Sequence, residues 1–265
     1  MEESDGMTTA SESATAGKAK SAARELAEII KTVVYALLIA FVIRVLLFQP
    51  FTIPSGSMEP NLLQGDYIIV SKYSYGYSRY SLSLPWTPHL FDGRIFEGAP
   101  HRGDIVVFKL PRDDKVDYIK RLIGLPGDRI QMKGGQVWLN GQPVPRQELA
   151  LPNETTPLGG PVHRFREVLP GGKTYVTNDY GPGGDVDDTD VYVVPPHHYF
   201  MMGDNRDNSQ DSRFPESYGV GYVPEENLVG KAQIILLSWN PDASIFKPWT
   251  WVLNARPSRF LHLLQ

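Results

Sequence analysis

The sequence of 265 residues contains no cysteine. Without cysteine the chain cannot form disulfide bonds, bind a metal through thiolates or use a thiol as a nucleophile, and it fits any redox compartment, including an oxidising one. The formal net charge is −4, and no segment collects basic residues into a stripe. Nothing in the charge pattern therefore indicates a nucleic-acid-binding protein.

Motifs of the common hydrolases are also missing. None of the six histidines accompanies a Gly-x-Ser-x-Gly turn, and no His-Glu-x-x-His pair is present, which argues against a Ser-His-Asp triad and against a zinc peptidase. The acidic stretch 185–190 lacks the glycine and glutamate spacing of a calcium loop. We therefore predict no metal and no cofactor, and the remaining nucleophile candidates are serine, threonine and lysine.

Strongly apolar runs are rare, and one of them is long. Residues 29–48 supply the roughly 20 residues that a membrane span needs if Lys31 and Arg44 extend their charged ends to opposite interfaces. We predict a disordered cytoplasmic tail at 1–25 and a transmembrane helix at 26–48, with the preceding basic residues placing the N-terminus in the cytoplasm. A buried core helix and a secretory signal peptide are the alternatives, but no small-x-small cleavage site follows the run.

Beyond the span, short β-branched segments separated by Gly/Pro/Asp turns predict a mainly β fold of antiparallel strands. An antiparallel β catalytic domain is expected at 49–130 and 200–240, with a second β subdomain inserted at 131–199. Tyrosine and tryptophan favour the membrane–water boundary, so the aromatic segments 73–86 and 241–265 are candidates for contact with the membrane surface. An ordinary packed hairpin is the alternative for the first of them.

Two polar residues differ from their surroundings. Ser57 lies in the turn 54–60, where prolines fix φ and a glycine lets another chain approach closely, so that the backbone can hold a side chain in one exposed place. Strand alternation over 116–123 places Lys120 on an apolar face, where burial lowers a lysine pKa from about 10.4 and allows the amine to take a proton from a serine. A plain turn and an edge lysine that guards against aggregation are the alternatives.

Four segments resemble the sequence boxes of bacterial type I signal peptidases, and they follow the membrane span in the same order. They are Pro-Ser-Gly-Ser-Met-x-Pro at 54–60, Arg-Gly-Asp-Ile-Val-Val-Phe at 102–108, Tyr-Ile-Lys-Arg-Leu-Ile-Gly-Leu-Pro-Gly-Asp at 118–128 and Gly-Asp-Asn-Arg-Asp-Asn-Ser-x-Asp-Ser-Arg at 203–213. The similarity covers residues 48–137 and 199–239, whereas the tail and the middle insertion match poorly.

The resemblance implies a role for each matching residue. Ser57 is expected to be the nucleophile, and Lys120 the general base that later protonates the leaving amine. Ser55 and the backbone N–H of Ser57 are expected to form the oxyanion hole, and Ser209 is expected to orient Lys120. The ion pairs implied behind the site involve Arg121, Asp204, Asp211 and Arg213.

The resemblance also implies shallow pockets for small side chains, and hence cleavage after an Ala-x-Ala site. The pocket residues that it implies are Ile53, Met58, Leu62, Ile68, Tyr118 and Ile119. The expected partners are preprotein signal peptides, membrane lipid and, transiently, the secretion translocon. The expected location is the bacterial inner membrane, crossed once, with a cytoplasmic N-terminus and an extracytoplasmic catalytic domain.

The sequence departs from the family pattern at several places. Asn61 stands where threonine is common, residues 214–218 lengthen the link that follows the last box, and one span replaces the two of some relatives. The nearest alternative is a narrower Ser–Lys peptidase, either of a conjugation system or a self-cleaving repressor; the span and the lack of a helix-turn-helix disfavour the repressor. An inactive membrane-tethered β scaffold is the alternative from another class, and the intact Ser57 and Lys120 argue against it.

Overall fold

The computed structural model describes residues 5–81, 93–150, 154–157, 159–242, 247 and 249–264. The chain divides into two compact units, Met1–Arg44 and Val45–Gln265. Residues 82–86 of the predicted aromatic segment lie outside the described residues.

The first unit is helical. Helix α1 runs from Asp5 to Val42, and a π-helical turn, Ile43–Leu47, follows it. Among the described residues, Arg24–Leu47 is the one helical stretch long and apolar enough to cross a membrane; it has 24 residues, and an 18-residue window within it has a mean hydropathy of 2.3. The helix extends through most of 1–25, where the sequence predicts a disordered tail. Alanine, the strongest helix former, recurs there, and the apolar helix supplies the nucleus that an isolated segment lacks.

The second unit is built mainly from β-strands. They are β1 (Phe48–Thr52), β2 (Asp66–Ser71), β3 (Ile105–Leu110), β4 (Asp113–Gly124), β5 (Arg129–Lys133), β6 (Gln136–Leu139), β7 (Gln142–Pro143), β8 (Arg146–Glu148), β9 (His163–Val168), β10 (Thr174–Asp179), β11 (Tyr192–Val193), β12 (His198–Met202), β13 (Val223–Pro224), β14 (Leu228–Ser238) and β15 (His262–Leu263). An eight-stranded sheet has the order β1-β2-β14-β3-β4-β12-β13, with β15 beside β14. Its strand pairs are antiparallel, which confirms the predicted fold class.

Between β4 and β12 the chain forms two smaller sheets, ordered β11-β5-β6-β7 and β10-β9-β8. They occupy the region 131–199 for which an inserted β subdomain is predicted. Strands β6 and β7 pair through Asn140-Gly141, a dipeptide typical of two-residue hairpins, and both residues have the positive φ that such a turn needs (52° and 81°). The insertion shares a hydrophobic cluster with the main sheet, in which Val137 packs with Phe200.

A second hydrophobic cluster lies beneath the segment that joins β1 to β2. Its side chains are at most 3% exposed, and they are Ile53, Met58, Leu62, Ile68, Val70, Ile105, Val107, Val229, Ala232 and Ile235. Burial of one such aliphatic side chain contributes roughly 1.5–3 kcal/mol. The joining segment, which carries Ser57, is therefore fixed onto the sheet by its own apolar residues.

The C-terminal segment belongs to this second unit. A short helix, α2 (Trp249–Leu253), precedes β15, which pairs with β14. Arg259 donates to Asp66 Oδ2 at 2.6 Å and so ties the segment to the start of β2. Trp249 and Trp251 are 62% and 47% exposed, and their contact with a membrane surface stays a prediction.

Candidate active site

Ser57 lies in a 3-10 turn, Gly56–Met58, between β1 and β2. The Met58 side chain is fully buried in the cluster below and holds the turn on the sheet. At the base of the loop, Ile53 N–H donates to the Asp66 carbonyl at 2.9 Å. Ser57 itself is 7% exposed, so the turn presents a fixed serine with little access to water.

Lys120 approaches Ser57 from β4. It lies opposite Val106 of β3 and is 4% exposed. Its Nζ is 2.5 Å from Ser57 Oγ, within hydrogen-bond distance, and 5.5 Å from the centre of the Tyr118 ring. An edge lysine that guards against aggregation would extend into water, so this burial and this contact exclude that alternative.

Burial changes the protonation of Lys120. Loss of water around the ammonium group lowers its pKa to about 8, Asp211 and Asp204 partly oppose that shift, and Arg213 adds to it. At pH 7.5 a pKa of about 8 leaves roughly a quarter of the lysine neutral, against about one part in a thousand for an ordinary lysine. The amine is therefore able to accept a proton near neutral pH.

A second hydroxyl lies beside the nucleophile. Ser55 Oγ is 3.4 Å from Ser57 Oγ. The Ser57 N–H belongs to the first residues of a 3-10 turn, whose N–H groups have no acceptor within the turn itself. A hydroxyl and a backbone N–H therefore lie next to the nucleophile oxygen, as an oxyanion hole requires.

These groups lie along a cleft of about 680 Å³. It is lined by Pro54, Ser55, Gly56, Ser57, Gln64, Val116, Asp117, Tyr118, Ile119, Lys120, Asp207, Asn208, Ser209, Gln210 and Phe214. The walls thus come from the Ser57 turn, from β4 and from residues 203–213, the polar loop that follows β12. The three sequence boxes that contain Ser57, Lys120 and Ser209 meet in this one cleft.

Residues 26–239 match the model of a protein family described as signal peptidase, peptidase S26. The chain belongs to this family. It is 44% identical to the signal peptidase I of Rickettsia prowazekii (strain Madrid E) over 85% of this chain and 89% of that protein. It is also 44% identical to the signal peptidase I of Rickettsia akari (strain Hartford) over 81% and 85%. These matches confirm the resemblance to bacterial type I signal peptidases and identify the chain as a peptidase.

A crystal structure of a signal peptidase I from Enterococcus faecalis V583 is also similar. It shares 24% sequence identity and covers 50% of this chain and 96% of that one. The TM-score is 0.29.

The pocket residues predicted for this S26 peptidase separate into two groups. Tyr118 and Ile119 line the cleft. The other four do not: they are at most 2% exposed and belong to the hydrophobic core, and they are Ile53, Met58, Leu62 and Ile68. Apolar residues beside a nucleophile can face either a substrate or a core, and sequence alone does not separate the two. The cleft residues that the sequence interpretation missed include Gln64, Val116 and Phe214.

Ser209 does not make the predicted contact with Lys120. The Ser209 side chain is 7% exposed and lines the cleft, but its Oγ has no hydrogen-bond partner among the described residues. The hydrogen bond of Lys120 Nζ in the described residues goes to Ser57. Ser209 and the Ser57 backbone both pack closely against Gly203. Only glycine fits there, because a Cβ would come within 2.3 Å of Ser209 Oγ and 2.6 Å of the Ser57 carbonyl oxygen.

The four predicted ion-pair residues of the signal peptidase form two buried pairs behind the site. Arg121 Nε and Nη2 each lie 2.7 Å from an oxygen of Asp204. Arg213 Nε lies 2.8 Å from Asp211 Oδ1, and Asp211 Oδ2 accepts from the Gly203 N–H at 2.9 Å. The first pair fastens the polar loop 203–213 to β4, and the second satisfies charges within the loop itself.

A third buried pair had no sequence signal. Arg206 donates from Nη1 and Nη2 to the two oxygens of Glu167, at 2.8 and 2.5 Å, and Tyr175 donates to the same carboxylate at 2.7 Å. Asn61, which stands where threonine is common, donates to Asp204 Oδ2 at 2.7 Å. Both contacts join segments that are far apart in the chain, so no local spacing could have revealed them.

Proposed function

We propose that this chain removes N-terminal signal peptides from exported preproteins, with Ser57 as the nucleophile and Lys120 as the general base. The observation that carries the proposal is the 2.5 Å contact between Lys120 Nζ and Ser57 Oγ in a buried site. Membership in the signal peptidase family and the relatives named signal peptidase I support the same reaction.

In the proposed reaction, neutral Lys120 accepts the Ser57 proton while Ser57 Oγ attacks the carbonyl carbon of the scissile bond. The C–N bond then breaks, Lys120 gives its proton to the leaving amine, and the acyl group remains on Ser57. A water molecule, deprotonated by Lys120, hydrolyses this ester and restores the serine. Ser55 O–H and the Ser57 N–H donate to the oxyanion, at roughly 3–4 kcal/mol per donor.

The substrate is proposed to bind as an extended strand along β4. Residues 117–121 pair with β3 on one side, whereas β12 pairs only with Arg121, Leu122 and Gly124 on the other. Among the described strands, none pairs with 116–119 on that second side, and these residues line the cleft. A peptide that adds a strand here gains main-chain hydrogen bonds that do not depend on its sequence.

The packing below the nucleophile supports a preference for small residues before the scissile bond. Ile53, Met58 and Leu62 are at most 2% exposed, so the floor next to Ser57 is closed rather than open to a long side chain. Large side chains there would have to displace core residues, which typically costs 1–3 kcal/mol. We therefore propose cleavage after an Ala-x-Ala site.

We propose that Arg24–Leu47 anchors the peptidase in the bacterial inner membrane as a single span. Lys18 and Lys20 ahead of it, with Arg24 and Lys31 near its start, favour a cytoplasmic N-terminus and a β unit on the other side. A signal peptide is itself an apolar membrane segment, so enzyme and substrate would share one surface, which raises their effective concentration. Lipid, touched through Trp249 and Trp251, and transiently the translocon are the further proposed partners.

The test is cleavage of a preprotein whose leader ends in Ala-x-Ala, in detergent, by the full chain and by Ser57→Ala and Lys120→Met. Lys173→Met serves as a matched control, because burial also lowers the Lys173 pKa but the residue does not line the cleft. We expect cleavage after the second alanine by the parent and the control, and none by the two site variants.

Other outcomes would redirect the proposal. Full activity in Lys120→Met would remove Lys120 as the base. If the folded parent is as inert as its variants, the chain is a membrane-tethered scaffold. Cleavage of one preprotein among many with Ala-x-Ala sites would indicate a narrower processing peptidase of the conjugation type.

A further inference from the structure

Asn205 makes two hydrogen bonds to the backbone around the nucleophile. Its side-chain Nδ2 donates to the Gly56 carbonyl at 3.1 Å, and its backbone N–H donates to the Ser57 carbonyl at 3.1 Å. The residue is 1% exposed, so water does not compete for these contacts. Both carbonyls that flank Ser57 along the chain therefore accept a hydrogen bond from one residue of the polar loop, and the Gly56 carbonyl also accepts from the Glu59 N–H at 3.2 Å within the turn.

The bond to Gly56 has a consequence for Ser57. The Gly56 carbonyl and the Ser57 N–H belong to the same peptide group, which is planar and trans, so the oxygen and the hydrogen point in opposite directions. A donor that fixes the Gly56 oxygen on one side therefore fixes the direction of the Ser57 N–H on the other. That N–H is the proposed oxyanion donor, whose contribution depends on alignment before the reaction begins.

The chemistry of the contact requires an amide. A carbonyl oxygen only accepts, so the Asn205 group that faces Gly56 must donate, which fixes the orientation of the amide. The same Nδ2 also lies 3.3 Å from Tyr180 Oη, while Oδ1 is buried without a hydrogen-bond partner in the part of the chain that the structure describes. An unsatisfied buried oxygen is unfavourable, and an apolar residue at this position would avoid that cost.

The neighbours of Asn205 hold it rigidly. Asp204, on one side in the chain, is in the buried pair with Arg121, and Arg206, on the other side, is in the buried pair with Glu167. The two chain neighbours of Asn205 are thus anchored to different parts of the fold. Such anchoring is what a residue needs if it is to define the direction of another group.

We propose that Asn205 is a positioning residue, which aligns the Ser57 N–H with the oxyanion by holding the Gly56–Ser57 peptide group. This inference rests on the proposed function, because it assigns no role without Ser57 as the nucleophile. Asn205 does not touch the reacting atoms, and its loss is expected to affect the transition state more than the bound substrate.

The test compares full-length Asn205→Ala with the parent in detergent. We expect kcat to fall roughly 10- to 100-fold, less than the loss of a whole oxyanion donor, with KM changed less than about threefold. Affinity for a peptidyl boronic acid ending in alanine, whose tetrahedral adduct mimics the oxyanion, should fall by the same factor as kcat/KM. The acidic limb of the pH profile should not move, since Lys120 keeps its surroundings.

Asn178→Ala is the matched control. Asn178 is also buried, at 2% exposed, and bridges to Asn205 through the backbone, but its side chain accepts from Arg164 and, among the described residues, has no hydrogen bond to the Ser57 turn. We expect it to keep kcat and boronic acid affinity within about twofold to threefold of the parent. A comparable loss in this variant would mean that removal of any buried asparagine nearby has the same effect, and would overturn the proposal.

Asn205→Asp keeps the side-chain volume but replaces the donor, and it should show the same pattern as Asn205→Ala. The proposal is overturned if either folded variant keeps kcat within twofold, if KM rises in proportion while boronic acid affinity is kept, or if neither variant folds. Activity that survives in Ser57→Ala would overturn the proposed function as well, whereas activity that survives only in the Asn205 variants leaves that function standing.

Discussion

Lys120 must lose its proton before it can activate Ser57. Because burial lowers its pKa to about 8, we predict that kcat/KM rises with pH through an apparent pKa near 8 and then levels off. The measurement is cleavage of an Ala-x-Ala peptide between pH 6 and pH 10, with Lys173→Met as the control that should keep the same profile. A flat profile from pH 6 to pH 9 would contradict Lys120 as the base.

The same burial should make Lys120 unfavourable for stability. Its pKa is about 8 in the folded chain and about 10.4 in an unfolded chain, so the unfolded state binds more protons between these values and stability rises with pH across that window. At pH 7 both states hold the proton, and the folded state carries the full desolvation cost. We predict that Lys120→Met is more stable at pH 7, by on the order of 1–3 kcal/mol.

Thermal unfolding followed by circular dichroism at pH 7 and pH 10 measures this difference. The stability advantage of Lys120→Met over the parent should shrink at pH 10, because Lys120 in the folded parent is then mostly neutral and carries less of the desolvation cost. Lys133→Met, at an exposed position over Trp138, is the control and should show little difference at either pH. A variant less stable than the parent at pH 7 would show that the hydrogen bond to Ser57 outweighs desolvation.

At the scale of elements, the insertion is tied to the active-site loop by the pair of Glu167 in β9 and Arg206 after β12. Both are at most 3% exposed, so Glu167→Gln would leave a buried guanidinium without its counter-charge. We predict a loss of about 3–5 kcal/mol in stability, measured by urea unfolding. Glu154→Gln removes a pair with Arg164 in which Glu154 is 57% exposed, and should cost less than about 1 kcal/mol. Equal losses would contradict the role of burial.

The elements that carry local patterns could be predicted from the sequence. Alternation over β4 predicts the face of Lys120, and the lack of cysteine and of the histidine motifs leaves serine, threonine and lysine as the nucleophile candidates. The dense polar run 203–213 indicates a loop that satisfies its own charges, and the structure shows this for Asp211, which pairs with Arg213, whereas the partner of Asp204 is Arg121 of β4. Each of these signals lies within about a dozen residues, the range over which periodicity and turn chemistry act.

Contacts between distant elements could not be predicted in the same way. Glu167 has the same strand context as any polar residue of β9, and its partner lies 39 positions away. The family resemblance implies Met58 and Leu62 as pocket residues, whereas the fold places both side chains in the hydrophobic core. The role of Asn205 likewise becomes visible only in the fold, which places the Gly56 carbonyl beside its side chain.

At the scale of the whole molecule, the helix and the β unit have separable contributions. Val45–Gln265 is one compact unit and contains the cleft, Ser57 and Lys120, so a fragment of these residues should fold and cleave a short Ala-x-Ala peptide about as fast as the full chain. What it lacks is the shared membrane surface.

We predict that cleavage of a preprotein inserted in lipid vesicles is about 10²–10⁴-fold slower with the fragment than with the full chain, the usual range of an effective-concentration gain. The measurement is the ratio of the two rates for the fragment and the full chain, with Ser57→Ala in each as the blank. Equal ratios would mean that the helix does not speed cleavage at the membrane. The β unit would then bind the membrane by itself, through surfaces such as the exposed tryptophans of α2.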